Sequence, residues 1–163
     1  MSTEGFKSDL RELYQGEVMG EVVIEELLRL FDAPAQQAKL GAILQLETET
    51  KARLRPAVLE LGLPLFSEQE TLEEAKAAAG ALAGLDWSQV MSAMLEQLHP
   101  VIERYQEIAD KAPDAYKELA QSMVVHEQAL LDFATGEVRG ESARSLDAVA
   151  AQLHFKLPRQ EVG

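Results

Sequence analysis

The residues best suited to chemistry are glutamates and a histidine that fall on the apolar faces of separate helices. At about 100° per residue, Glu17 lies at the centre of a stripe containing Phe6, Leu10, Leu13, Tyr14, Ile24, Leu28 and Phe31. Glu21 follows one turn later on the same face. Glu47 is central to a second stripe of Leu40, Ile43, Leu44, Leu54, Val58 and Leu61, with Thr50 and Lys51 flanking it. His126 stands among Leu119, Met123, Leu130 and Phe133, and Glu127 falls at the border of that stripe. A carboxylate in an apolar interior costs several kcal/mol unless it is paired, protonated or metal-bound.

Two explanations fit this placement. In one, Glu17, Glu21, Glu47, His126 and Glu127 supply oxygen and imidazole ligands to iron or manganese. In the other, the carboxylates form a buried polar network in which Lys51 or Arg55 neutralises one of them. Taken alone, His126 reads as a hydrogen-bonded core histidine; three interior glutamates on other helices make it a ligand candidate. Glu96 and His99 also have Glu-x-x-His spacing, with Glu103 one turn further on. The stripe of that helix is Trp87, Val90, Met94, Leu98, Val101, Tyr105 and Ile108, nearly opposite to them. They read as a solvated face, with a surface metal site or a rotated helix as alternatives. Tyr14 and Tyr105 read as packing residues with a bonded hydroxyl, Met94 and Met123 as core filling, and His154 as part of the tail.

Four long helices must carry these groups, at about 6–31, 34–61, 87–111 and 112–135. Asp32-Ala33-Pro34 ends the first, and Gly62-Leu63-Pro64 ends the second, which Pro56 should bend. Asp86 caps the third, Pro113 begins the fourth and Gly136 ends it. Ser67-Glu68-Gln69-Glu70 reads as a capping box for a short helix over about 67–83. A second short helix covers about 141–153, and the tail from Leu157 reads as loose. Short links make two antiparallel hairpins, joined by a crossover segment. The expected fold is all-α: a single domain over 1–163, an antiparallel four-helix bundle with a crossover helix between its second and third long helices and a short C-terminal helix.

Composition narrows the function further. The 163 residues are 47% hydrophobic and 26% charged, with a formal net charge of −13. Such a surface repels phosphates and anionic lipid, so neither nucleic acid nor membrane is an expected partner. The absence of cysteine excludes disulfides, thiolate metal sites and a cysteine nucleophile. No stretch approaches the roughly 18 apolar residues of a membrane span, and the first residues lack the regions of a secretion signal, so the cytoplasm is the expected compartment. No glycine-rich phosphate loop, Gly-x-Ser-x-Gly or His-Glu-x-x-His occurs, and no nucleotide cofactor is expected. The long amphipathic helices make a homodimer the expected assembly.

The hairpin–crossover–hairpin order, with Tyr14-Gln15-Gly16-Glu17, Leu46-Glu47-Thr48-Glu49 and His126-Glu127 on the first, second and fourth long helices, resembles the ferritin-like superfamily, especially rubrerythrin-like proteins. The resemblance spans most of residues 6–135 and implies iron bound by glutamates and Glu-x-x-His units, in an oxidoreductase or iron-handling protein. Carried across, Glu17 and Glu47 match the glutamates of the first two helices. Thr50 stands where a histidine would follow Glu47, and Met123 stands three residues before His126 where a glutamate would. The full six-ligand set is thus reduced, and a smaller site on Glu17, Glu21, Glu47, His126 and Glu127 is expected. The other functional class is a metal-free helical bundle that keeps the fold as a binding or assembly module.

Overall fold

Helix ends fall where the local chemistry stops a helix from continuing. A computed structural model describes residues 3–158, which form helices and no strand. The helices are α1 (Thr3–Leu30), α2 (Pro34–Glu60), α3 (Gln69–Leu82), α4 (Trp87–Lys111), α5 (Asp114–Val138) and α6 (Asp147–Gln152). Pro34 opens α2, where its fixed φ and missing N–H cost nothing. Past the end of α2, Gly62 adopts φ 68°, and the N–H groups of Gly62 and Leu63 bond back to Leu59 and Val58. This left-handed cap satisfies carbonyls that would otherwise be orphaned. Asp86 caps α4 as expected: its carboxylate accepts from the Gln89 N–H at 2.9 Å, and the Gln89 side chain accepts from the Asp86 N–H at 2.9 Å.

Several expected boundaries are corrected. Ser67 does not build a capping box; Glu68 occupies the N-cap of α3 without a side-chain cap bond, because its carboxylate is held by Arg11. Pro113 precedes α5 as its N-cap. Gly136 does not end α5, which continues to Val138 and caps through Gly140 at φ 76°. The glycine serves a close approach instead: a Cβ at Gly136 would lie 3.2 Å from both Cα and Cβ of Ser145. The segment folded back there delays the last helix, so α6 is six residues long and not the thirteen expected. Leu157 packs against the core, so the tail is held at least to there. Residues 159–163 of that tail lie outside the described residues. No helix among the described residues is long and apolar enough to cross a membrane.

Links of a few residues at 31–33 and 112–113 turn α1 into α2 and α4 into α5, so each pair packs as an antiparallel hairpin. α3 lies against α1, α6 against α5 and α2, and α2 against α5. The core they enclose is divided. One apolar cluster joins Phe6, Leu10 and Leu13 of α1 to Leu54 and Val58 of α2, Ile108 of α4 and Met123 of α5. The other joins Leu27, Leu40, Ile43, Leu46, Val90, Met91 and Phe133. Full burial of such side chains contributes about 1.5–3 kcal/mol each. Between the clusters, α1, α2 and α5 carry the buried polar residues Glu17, Glu47, Thr50, His126 and Glu127.

The second cluster is closed by a polar lock. The Trp87 indole N–H donates to Glu137 at 2.7 Å, Lys39 bonds the same carboxylate, and the Ser142 hydroxyl donates to it at 3.1 Å. Burial alone would raise the Glu137 pKa, but Lys39, with the Ser145 and Trp87 donors, holds it below the ordinary value. A depressed carboxylate pKa adds stability above the unfolded-state pKa and loses it as pH falls through the folded one. Glu137→Gln is therefore expected to cost about 2 kcal/mol at pH 7. The gap from wild type should narrow below about pH 4.5. Urea unfolding at a series of pH values measures both.

Candidate metal centre

At the waist between the two apolar clusters, α1, α2 and α5 each present one ionisable side chain to the same point. Glu17 is 1% exposed, Glu47 4% and His126 0%. Glu17 and Glu47 reach this point because each sits mid-stripe on its helix and the hairpin makes α1 and α2 antiparallel, which brings the two midpoints level. His126 Nε2 lies 3.4 Å from Glu17 Oε2 and 3.5 Å from Glu47 Oε2. One ligand atom from each of the three residues falls within 4.8 Å of the others. Glu127 is also buried, with Oε1 at 4.0 Å from the same nitrogen; its place at the border of the stripe tilts it inward.

These groups lack ordinary compensation. Both carboxylate oxygens of Glu17 and the Nε2 of His126 are buried with no hydrogen-bond partner. Among the described residues, no Lys or Arg forms an ion pair with Glu17, Glu47 or Glu127. Burial pushes the Glu17 carboxyl well above the carboxylate range; His126 pulls it back, and Glu47 and Glu127 push it up again. Burial raises Glu127 to about 7, against the pull of His126. Burial disfavours the His126 imidazolium, yet Glu17 and Glu47 reverse this and raise the ring to about 10. Protons thus balance the cluster when nothing else does.

The separations also suit a cation. Ligand atoms about 2.1 Å from one ion, arranged as a tetrahedron, stand about 3.4 Å from one another. The two imidazole–carboxylate distances match that edge, and donors of two carboxylate oxygens and one imidazole nitrogen are those expected for a divalent transition metal.

Neighbouring residues are shaped around the cluster. Thr50, fully buried one turn past Glu47, holds the opposite edge of the imidazole: its Oγ1 lies 3.1 Å from Nδ1. A Cβ at Gly20 would lie 2.4 Å from Oε2 and 2.6 Å from Cδ of Glu47, so only glycine leaves that carboxylate its place. One turn earlier, Gly16 receives the Tyr105 ring tip, with its hydroxyl 2.1 Å from where a Cβ would be. Burial, then the charges of Glu127, Glu17 and Glu47, push the Tyr105 phenol well above its ordinary pKa and keep it neutral.

Not every sequence candidate joins the site. Glu21 is corrected out of it: its carboxylate is bonded by Lys51 and accepts from the Thr48 hydroxyl at 2.6 Å. Its stripe position was right, but it lies on the flank that faces α2, where a lysine reaches it. The neutralising lysine expected for one glutamate is thus found, on Glu21 alone. Glu96, His99 and Glu103 are exposed on α4, as the solvated-face reading held. Tyr14 packs in the core and donates to Leu65 O at 3.0 Å. The supporting roles of Gly16, Gly20 and Tyr105 escaped the sequence reading, although two glycines four apart beside a core glutamate were a usable signal.

Comparisons with protein-family models, with curated proteins and with solved structures find no match to this chain.

Gly16→Ala is expected to cost about 1–3 kcal/mol, because the rigid Tyr105 ring must move. Gly41→Ala, on the exposed face of α2 with nothing within 4 Å, should gain up to about 1 kcal/mol from helix propensity. Guanidinium unfolding of the two variants measures the contrast.

Proposed function

We propose that this chain is a ferritin-like metalloprotein that holds one divalent metal ion, iron or manganese, on Glu17, Glu47 and His126. The observation that carries this reading is the buried convergence of two carboxylates and an imidazole from three helices, three of whose polar atoms have no hydrogen-bond partner. Placing charges in such a site costs several kcal/mol, and a dication offsets both carboxylates at once. Hairpin, crossover helix and second hairpin, in that order, support the ferritin-like assignment. A single ion is favoured over a pair because one imidazole serves the cluster and Glu21 is committed to Lys51. Glu127 is close enough to serve as a further ligand or to take up a proton. Three protein ligands would leave a bound iron or manganese with positions free for dioxygen, peroxide or further iron.

In this reading the residues of the chain do the following. Glu17 and Glu47 supply oxygen, His126 supplies Nε2, and Thr50 holds the far side of the imidazole. Tyr105 fills the space against α1 and keeps its proton. The two apolar clusters on either side exclude water, which strengthens every electrostatic contact at the waist.

Elemental analysis and calorimetric titration with Mn²⁺ or anaerobic Fe²⁺ test the proposal. About one ion per chain is expected, with a rise in Tm on loading and release of protons, so that affinity falls as pH is lowered. Glu47→Ala and His126→Ala should abolish uptake while far-ultraviolet circular dichroism remains helical. Gly20→Ala keeps every ligand but displaces the Glu47 carboxylate, and should weaken binding by at least about tenfold. If the wild type takes up no metal and its Tm ignores added Fe²⁺, Mn²⁺ and Zn²⁺, the second reading stands: a metal-free helical scaffold whose buried cluster is balanced by protons.

A further inference from the structure

Among the described residues, Thr50 is the one whose hydrogen bond reaches His126 from outside the carboxylate cluster. Glu47 and Thr50 are three apart on α2 and share a face, one turn from each other. The imidazole is held between them: Nε2 faces the Glu47 and Glu17 carboxylates at 3.5 and 3.4 Å, and Nδ1 meets Thr50 Oγ1 at 3.1 Å. Threonine suits this position because its branched Cβ restricts χ1 in a helix, so a fully buried hydroxyl has little freedom to turn away.

Donor and acceptor roles at this hydroxyl follow from which ring nitrogen takes the metal. The Arg53 guanidinium, which can only donate, approaches Thr50 Oγ1 at 3.5 Å. Arg53 and its neighbour Glu49 line an outer cleft of about 490 Å³ together with Ser122 and Val125 of α5, which precede His126. A hydroxyl can donate or accept, so Thr50 can meet either form of the ring at Nδ1, and the Arg53 donor does not fix which. A metal on Nε2 takes that nitrogen's lone pair, which leaves the ring hydrogen on Nδ1, 3.1 Å from a Thr50 oxygen that can accept it. The Nε2 edge of the ring faces the point where Glu17 and Glu47 meet.

We infer that Thr50 is a positioning residue that holds His126 with Nε2 turned to the metal site and accepts the Nδ1–H when that nitrogen binds. The inference rests on the metal-centre reading given above, but the ring orientation it demands can be measured with or without metal. Outer partners of metal-bound imidazoles typically change affinity by about 10–100-fold when removed.

Thr50→Val keeps the shape and removes the acceptor; Thr50→Ser keeps the acceptor. Titration with Zn²⁺, a diamagnetic probe, should show Thr50→Val weakened by about 10–100-fold and Thr50→Ser by no more than about threefold. In ¹⁵N spectra of the Zn²⁺-loaded wild type, His126 should be protonated at Nδ1 and metal-bound at Nε2, and Thr50→Val should lose that single pattern. A purely structural role for Thr50 would lower stability without changing which nitrogen binds. Equal affinity and an unchanged nitrogen pattern in Thr50→Val would overturn the inference, as would binding through Nδ1 in the wild type. If Thr50→Val fails to fold, Thr50→Ala makes the same comparison. If the wild type binds no metal at all, the metal reading fails separately. The metal-free chain then decides the orientation: a slowly exchanging Nδ1–H with an Overhauser effect to the Thr50 methyl supports it, and its absence refutes it.

Discussion

Carboxylates taken out of water between helices, with no lysine or arginine paired to them among the described residues, set the terms for the rest of this structure. Glu17, Glu47 and Glu127 share one small volume with a single imidazole. Like charges at that range cannot all stay ionised without a counter-charge. The surroundings bear the mark of that demand. Gly20 yields the space that the Glu47 carboxylate fills, Gly16 yields the space of the Tyr105 hydroxyl, and Thr50 occupies the far edge of the histidine. Each of these residues is poor for helix stability in its own right, so each is explained by what it faces.

Basic residues are spent elsewhere. Arg104 fastens α4 to Asp9 and Glu12 of α1, Arg11 fastens α1 to Glu68, and Lys51 fastens α2 to Glu21. The Arg104 and Arg11 pairs are partly exposed and contribute at most about 1 kcal/mol each; Lys51 and Glu21 are more sheltered. With 15 basic residues against 28 acidic ones, basic partners are scarce. The interior cluster receives none of them.

The helical architecture was legible because strong punctuation agrees with tertiary packing. Asp32-Ala33-Pro34, Gly62 and Asp86 stop or start helices through local backbone chemistry, which needs no knowledge of neighbours. Gly136 and Ser67 misled for the opposite reason: a contact with Ser145 and a bond from Arg11 to Glu68, both distant in sequence, overrode the local signal. Glu17, Glu47 and His126 could be placed in the interior from periodicity alone, and they are buried there. Periodicity could not separate Glu21 from Glu17, since both lie within one stripe and only the position of Lys51 on the facing helix divides them. Thr50 was visible as the residue standing where a second histidine would be; that its hydroxyl meets the first histidine depends on how α2 and α5 are rotated about their axes, which no helical projection supplies.

The divided core has a consequence for how the chain holds together. Apolar packing binds each half of the molecule to itself, the half around Phe6 and Ile108 and the half around Phe133 and Met91. The polar layer between them adds little cohesion of its own, and each long helix passes through it as a beam through a joint. An ion there would act as a rivet, coupling the two halves into one cooperative unit. With protons in its place the joint would be softer, and amide exchange in one half would not have to wait for the other.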